Sequence, residues 1–202
     1  MNASLVIAVR PPEEGKTRLA AALSPAARAA LIERMFRHVL TTALAAAPTG
    51  GVHVISRSAR LLALASAAGA HAIVEVGRGL NPAIAQAAML CDPAHALLAL
   101  SADLPLLTVA DLTALDRALG GADVIAAPDR ARMGTNALAM RHPGTIAPGF
   151  GAGSLARHRR RAGAAGLRFG LVFRPGLAAD LDLPADLALL EPAEPLIAEC
   201  GS

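Results

Sequence analysis

Two hydrophobic rhythms alternate along the 202 residues of this chain. Short runs rich in leucine and β-branched residues predict strands at Leu5–Val9, Val52–Ser56, Ala72–Val76, Ala96–Ser101, Asp123–Ala127, Asn136–Met140 and Phe169–Phe173. Between them, apolar positions recur with a helical period, and Leu31, Met35 and Val39 mark one helix over Pro25–Ala47. Ala59–Ala68 reads as a second, closed by Gly69 just past its end. Asn81-Pro82 predicts the N-cap and first residue of a third, running to Leu90. Thr108 caps a fourth, to Leu119, with Asp111 in its first turn, and Ser154 caps a fifth, to Ala165. Such alternation predicts an α/β fold of three layers, a mainly parallel sheet with helices on both faces.

One polar position breaks the pattern. Asp103 follows the apolar run Ala96–Ser101 directly, and a buried, unpaired carboxylate costs several kcal/mol. In open α/β sheets ligands bind beyond the carboxyl ends of the strands, so Asp103 belongs at that edge, facing something positive. Pro105 then stops the strand.

Composition narrows the class. The apolar fraction of 54% excludes a disordered chain, and the length suits one domain, 1–202. No apolar run reaches a membrane span, and the opening stretch is too short in its apolar part for a signal peptide. Two cysteines, Cys91 and Cys200, make neither a disulfide framework nor a metal cluster, which points to the cytoplasm. The net charge of +3 suits an anionic ligand, while 2% aromatics with no Trp or Tyr leave few platforms for stacking nucleic-acid bases. Lys16 is the only lysine among 19 basic residues, which makes it a candidate point charge.

Three constellations carry candidate chemistry. In Val9–Leu19 a loop with two prolines and Gly15 presents Lys16 and Arg18 at a strand's carboxyl end, suited to a polyphosphate or merely a solvated basic loop. It lacks the spacing of a P-loop. Asp103 with Asp180 and Asp182 offers hard oxygens for a cation such as Mg²⁺, against the alternative of turn and helix capping before Pro184–Leu190. Thr135, Gly151 and Ser154 supply a hydroxyl pair and close backbone approach, which also serve plain capping. Asn81 is placed to read a base edge or to cap its helix. His158 among Arg157, Arg159, Arg160 and Arg161 reads as a solvated helix face in preference to an anion cluster.

Together these pieces resemble the 2-phospho-L-lactate guanylyltransferase family of coenzyme F420 biosynthesis, relatives of the molybdenum-cofactor guanylyltransferases. The resemblance runs in order through Lys16-Thr17-Arg18-Leu19, Gly79-Leu80-Asn81, Asp103-Leu104-Pro105-Leu106, Pro128-Asp129, Gly134 to Leu138, Phe150-Gly151 with Gly153-Ser154 and His158, and Asp180-Leu181-Asp182 with Asp186-Leu187. Arg10 stands where the family pattern usually has lysine. A glycosyltransferase-like family is similar at the amino-terminal end only, and the stretch Gly134–Met140 departs from it.

The resemblance implies a Rossmann-like sheet of the nucleotide-diphospho-sugar transferase type. It further implies Mg²⁺ held by Asp103, Asp180 and Asp182, with Arg10, Lys16, Asn81 and Asp103 around the nucleotide. Lys16, Arg18 and Asp103 would then be catalytic, and Thr135, Gly151 and Ser154 would bind a small phosphorylated carboxylic acid. The implied reaction joins GMP from GTP to that acid. No nucleic acid or membrane partner is expected, and a homodimer is compatible. The alternatives are another nucleotidyl or glycosyl transfer on the same scaffold, or a non-enzymatic anion-binding module built on residues 157–161.

Overall fold

A computed structural model describes residues 1–190; Cys200 lies outside them. Strands β1 (Ala3–Ala8), β2 (Val52–Ser56), β3 (His71–Val74), β4 (Ala96–Ser101), β5 (Val124–Pro128), β6 (Thr135–Met140) and β7 (Phe169–Leu171) form one sheet in the order β3-β2-β1-β4-β6-β5-β7. All pairs are parallel except those of β6, which runs antiparallel to β4 and β5. Helices α1 (Pro25–Ala45), α2 (Ala59–Ala67), α3 (Leu80–Ala88), α4 (Val109–Ala118) and α5 (Ser154–Ala164) lie between strands, and the single turn α6 (Pro175–Ala178) follows β7.

Strand alternation sorts the core into two layers. Leu5 and Ile7 of β1, with Leu98 and Leu100 of β4, pack beneath α1, α2 and α4 through Phe36, Val39, Leu61 and Leu112. Val6, Ala8, Leu97 and Ala99 face the other way, against Ile84 of α3 and Ala162 of α5. The three-layer arrangement therefore follows from the apolar pattern.

Local chemistry fixes several ends as expected. Thr108 and Asp111 form a reciprocal capping box on α4. Gly69, at φ 93°, closes α2 in a Schellman motif, with Ala70 N–H donating to Ala65 O and Gly69 N–H to Ser66 O. Two expected caps are corrected. Gly79, not Asn81, is the N-cap of α3, and Gly153, not Ser154, is the N-cap of α5. The two glycines adopt φ values of 116° and 68° that a Cβ would strain, and the cap falls two residues before Asn81 in α3 and one before Ser154 in α5.

Register brings the site together. Ala8 pairs with Ser101, so the loops after β1 and β4 leave the sheet side by side. Antiparallel β6 begins at that same edge, with Ala137 opposite Leu100, so Thr135 and Asn136 join those loops.

Candidate active site at the carboxyl edge of the sheet

Lys16 occupies the centre of the site. A satellite core of Leu19, Ile32, Met35 and Leu181 docks the basic loop against the Asp180–Asp182 segment. Leu181 N–H donates to Asp103 O at 3.2 Å, which seats that segment beside the turn after β4. The outcome is an ammonium held between two carboxylates: Lys16 Nζ pairs with Asp103 Oδ2 and, at 2.7 Å, with Asp182 Oδ1. Burial opposes the charge on Lys16, but the attraction of Asp103 and Asp182 outweighs it and holds the amine above its usual pKa. Lys16 takes a left-handed backbone (φ 53°), a conformation that costs a non-glycine residue about 1 kcal/mol or more and is concentrated at functional sites. The positive partner demanded by Asp103 is, in this state, Lys16. Arg18 stands outside, exposed, 3.7 Å from Asp182.

Asp180 lies on the opposite side of buried Leu181 from Asp182 along the chain, and its Oδ1 accepts from Asn136 Nδ2 at 3.1 Å. Burial, followed by the Asp103 and Asp182 charges, raises its pKa despite that hydrogen bond. The loop is braced from behind by a pair of which the sequence reading named only Asp186: Arg130 bonds Asp186, whose Oδ2 accepts from the N–H groups of Asp182 and Leu183 at 2.9 and 2.7 Å.

A hard cation fits part of this set. Asp103 Oδ1 is buried with no hydrogen-bond partner among the described residues, an arrangement that favours an arriving positive ligand. Asp103 and Asp182 already share one cation in the form of the Lys16 ammonium. Among the described residues no three carboxylate, His or Cys side chains converge as a ready-made metal site, and Asp180 is engaged by Asn136 instead of Lys16. One or two carboxylates are what Mg²⁺ takes when substrate phosphates complete its shell.

Beside the carboxyl end of β1 lies a cavity of about 220 Å³, lined by Arg10, Glu14, Arg57, Glu75, Arg78 and Leu80 among others. Arg57 is clamped by Glu14 and reaches Glu75 at 3.5 Å. Asn81 sits one residue beyond this cavity, but its amide is engaged at both ends by Phe150, whose N–H donates to Oδ1 at 2.6 Å and whose carbonyl accepts from Nδ2 at 3.1 Å. The residue expected at a base edge thus ties the cavity wall to the loop that carries Gly151.

That loop turns on two glycines with positive φ, Gly151 and Gly153. Gly151 has φ 106°, and the N–H groups of Gly151, Ala152 and Gly153 meet no acceptor among the described residues. A run of unpaired N–H groups before a helix is suited to an anion. Thr135, buried, and Ser154, wholly buried, meet nearby, with Ser154 Oγ donating to Thr135 Oγ1 at 3.1 Å. The basic cluster on α5 is not simply a solvated face. Arg157 bonds the carbonyls of Gly149 and Ala152, Arg161 those of Ala147 and Pro148, and His158 is wholly buried. Arg159 and Arg160 alone face solvent within that run. The signal that would have found His158 is its place four residues after Ser154 and four before Ala162, the buried stripe of α5.

The profile of the family described as "Guanylyl transferase CofC like" matches residues 3–191. The chain belongs to this family. It is 40% identical over 189 residues to a phosphoenolpyruvate guanylyltransferase from Sphaerobacter thermophilus, covering 93% of this chain and 91% of that one. It is 41% identical over 195 residues to a 3-phospho-D-glycerate guanylyltransferase from Phenylobacterium zucineum, covering 91% and 87%. Its fold superposes on a protein described as a nucleotide-diphospho-sugar transferase from Desulfovibrio desulfuricans G20 with a TM-score of 0.74 at 17% identity, over 94% and 86% of the two chains. The CofC-like chain thus carries the nucleotidyltransferase architecture, and the described residues contain no helix long and apolar enough to cross a membrane.

Proposed function

We propose that this CofC-like protein joins GMP, from GTP, to the phosphate of a small phosphorylated carboxylic acid and releases pyrophosphate. The observation that carries the reading is the Lys16–Asp103–Asp182 centre at the carboxyl edge of the sheet, where β6 also starts with Thr135 bonded to Ser154, in a chain of guanylyltransferase kinship. An oxygen of the acceptor's phosphate attacks the α-phosphorus of GTP, and the bond from that phosphorus to the β-phosphate oxygen breaks. A phosphate anion needs no general base, so the chain's part is positioning and charge neutralisation.

In this reading Lys16 and Arg18 face the GTP phosphates, and Arg10 with the neighbouring cavity receives the nucleoside. Thr135 and the Gly151 backbone hold the acceptor, with Ser154 bracing Thr135. Asp103 and Asp182, with Asp180 behind them, would hold Mg²⁺, which when bound neutralises charge on the phosphate oxygens. Phosphoenolpyruvate, 3-phosphoglycerate and 2-phospho-L-lactate all present a phosphate and a carboxylate, anions that hydroxyl and backbone N–H donors suit. Release of pyrophosphate, followed with each nucleoside triphosphate against each of the three acids, tests the reading. Release with GTP and one acid supports it. Release with another nucleotide or with a sugar phosphate assigns a different transfer on the same scaffold.

A further inference from the structure

A chain of hydrogen bonds runs from Gly149 through His158 and Thr135 to Ser154, and its polarity can be read from one group whose role is fixed. A backbone N–H only donates. Gly149 N–H points at His158 Nε2 at 2.9 Å, so Nε2 accepts and carries no proton. The single proton of a neutral imidazole then resides on Nδ1, which stands 3.1 Å from Thr135 Oγ1 and donates to it. Ser154 Oγ donates to the same oxygen at 3.1 Å. Two hydroxyls can share such a bond in either sense, and burial decides it: Ser154 is wholly buried with no other side-chain partner among the described residues, so its proton goes to Thr135 Oγ1 and the Thr135 proton is directed away from the network.

The surroundings keep the imidazole in this state. Burial, then the charges of Arg161 and Arg157, bring the His158 pKa down to about 4, so the ring is neutral over the physiological range. Phe150 packs edge-on against the ring with centroids 5.2 Å apart, which fixes its plane. The two arginines also close over Gly149, where a Cβ would come within 2.6 Å of Arg161 Nη1 and 2.8 Å of Arg157 Cδ and make both side chains shift.

We propose that His158 is a positioning residue: its Nδ1–H locks the Thr135 hydroxyl as a hydrogen-bond donor toward an anionic oxygen of the acceptor. This rests on the reading that Thr135 belongs to the acceptor site. A free hydroxyl donates or accepts with equal ease, and against a phosphate or carboxylate only donation binds. The lock therefore removes a rotor that would otherwise have to be ordered on binding, and it selects ionised oxygens over donor groups.

The test separates donor from acceptor by substitution. In His158→Asn the side-chain NH₂ overlays Nδ1 and can still donate to Thr135. In His158→Gln the amide reaches the Nε2 position and can still serve Gly149. The lock predicts an acceptor KM for His158→Asn within about threefold of the parent, and a rise of roughly tenfold for His158→Gln and for Thr135→Val, the loss of one charge-assisted bond. KM for GTP stays unchanged, and the His158→Gln/Thr135→Val double variant is no worse than Thr135→Val. If His158 only holds the Gly149 loop, the order reverses, His158→Gln behaving as the parent and His158→Asn failing. That order overturns the proposal.

A readout independent of turnover is ¹⁵N NMR of the unliganded protein. It should find Nδ1 protonated and Nε2 bare at neutral pH, and the opposite tautomer refutes the lock. Absence of guanylyl transfer to every acid would instead defeat the proposed function, leaving the tautomer measurement to decide the lock.

Discussion

Replacing Lys16 by alanine removes the one cation that separates Asp103 from Asp182. The Lys16 side chain is 9% exposed, Asp103 24% and Asp182 44%. Breaking a fully buried ion pair costs about 3–5 kcal/mol. The exposure of Asp182 screens part of that, which leaves about 2 kcal/mol. For a domain of this length such a loss lowers the melting temperature by about 4–8 °C. Differential scanning fluorimetry in chelator should show this drop.

Millimolar Mg²⁺ should then recover much of the drop in Lys16→Ala while moving the parent little, because in the parent a cation must displace the ammonium. The same variant should lose roughly 10²-fold in kcat/KM, as expected for a contact stronger in the transition state. Arg160→Ala, an exposed residue on α5, should stay within about twofold. A Lys16→Ala protein that melts like the parent in chelator, and ignores Mg²⁺, would refute the shared-cation account.

Asp180 carries a pKa raised mainly by burial, so its ionised form is disfavoured in the fold at neutral pH. Asp180→Asn should therefore raise the melting temperature in chelator while lowering turnover about 10²-fold or more, and a fall in melting temperature would contradict this sign. His158 falls from 6.5 to about 4 in the fold, so the unfolded chain takes up the proton first as pH drops. Stability should thus be level above pH 6.5 and decline between there and about 4, by about 3 kcal/mol in all at 1.36 kcal/mol per unit, and His158→Asn should flatten that part of a urea-unfolding profile. Asn81→Ala removes both bonds to Phe150 and should raise the acceptor KM about three- to tenfold with the GTP KM unmoved. The reverse pattern would return Asn81 to the nucleotide base.

The layers of the fold were legible because the apolar rhythm and the burial pattern are the same physical fact. Strand β4 matches its expected bounds, Ala96–Ser101, since a leucine-rich run bounded by polar residues leaves no other face to bury. The place of Asp103 at the sheet edge was legible for the same reason. Its partner was not: the residue that meets it is 87 positions away, and only the register of β1 with β4 and the docking of Leu19 on Leu181 bring Lys16 there.

The caps of α3 and α5 were misread because Asn81 and Ser154 are good capping residues whose side chains are engaged in tertiary bonds, to Phe150 and Thr135. Likewise, the basic run on α5 resembled a solvated face, yet Arg157 and Arg161 satisfy loop carbonyls that carry no sequence signal. Antiparallel β6 follows from the short connection Asp129–Gly134, where Asp129 accepts from the N–H groups of Met133 and Gly134 at 2.9 Å. That turn chemistry was visible in sequence only as an aspartate five residues before a glycine.

Mass spectrometry of the products tests the central claim most directly. The protein is incubated with GTP and Mg²⁺ and, in separate reactions, phosphoenolpyruvate, 3-phosphoglycerate, 2-phospho-L-lactate and phosphate-free lactate. The account predicts a guanosine diphosphate ester of at least one phosphorylated acid, formed one for one with pyrophosphate and absent with lactate. A guanylylated product from lactate, or no product from any of the three phosphorylated acids, would contradict it.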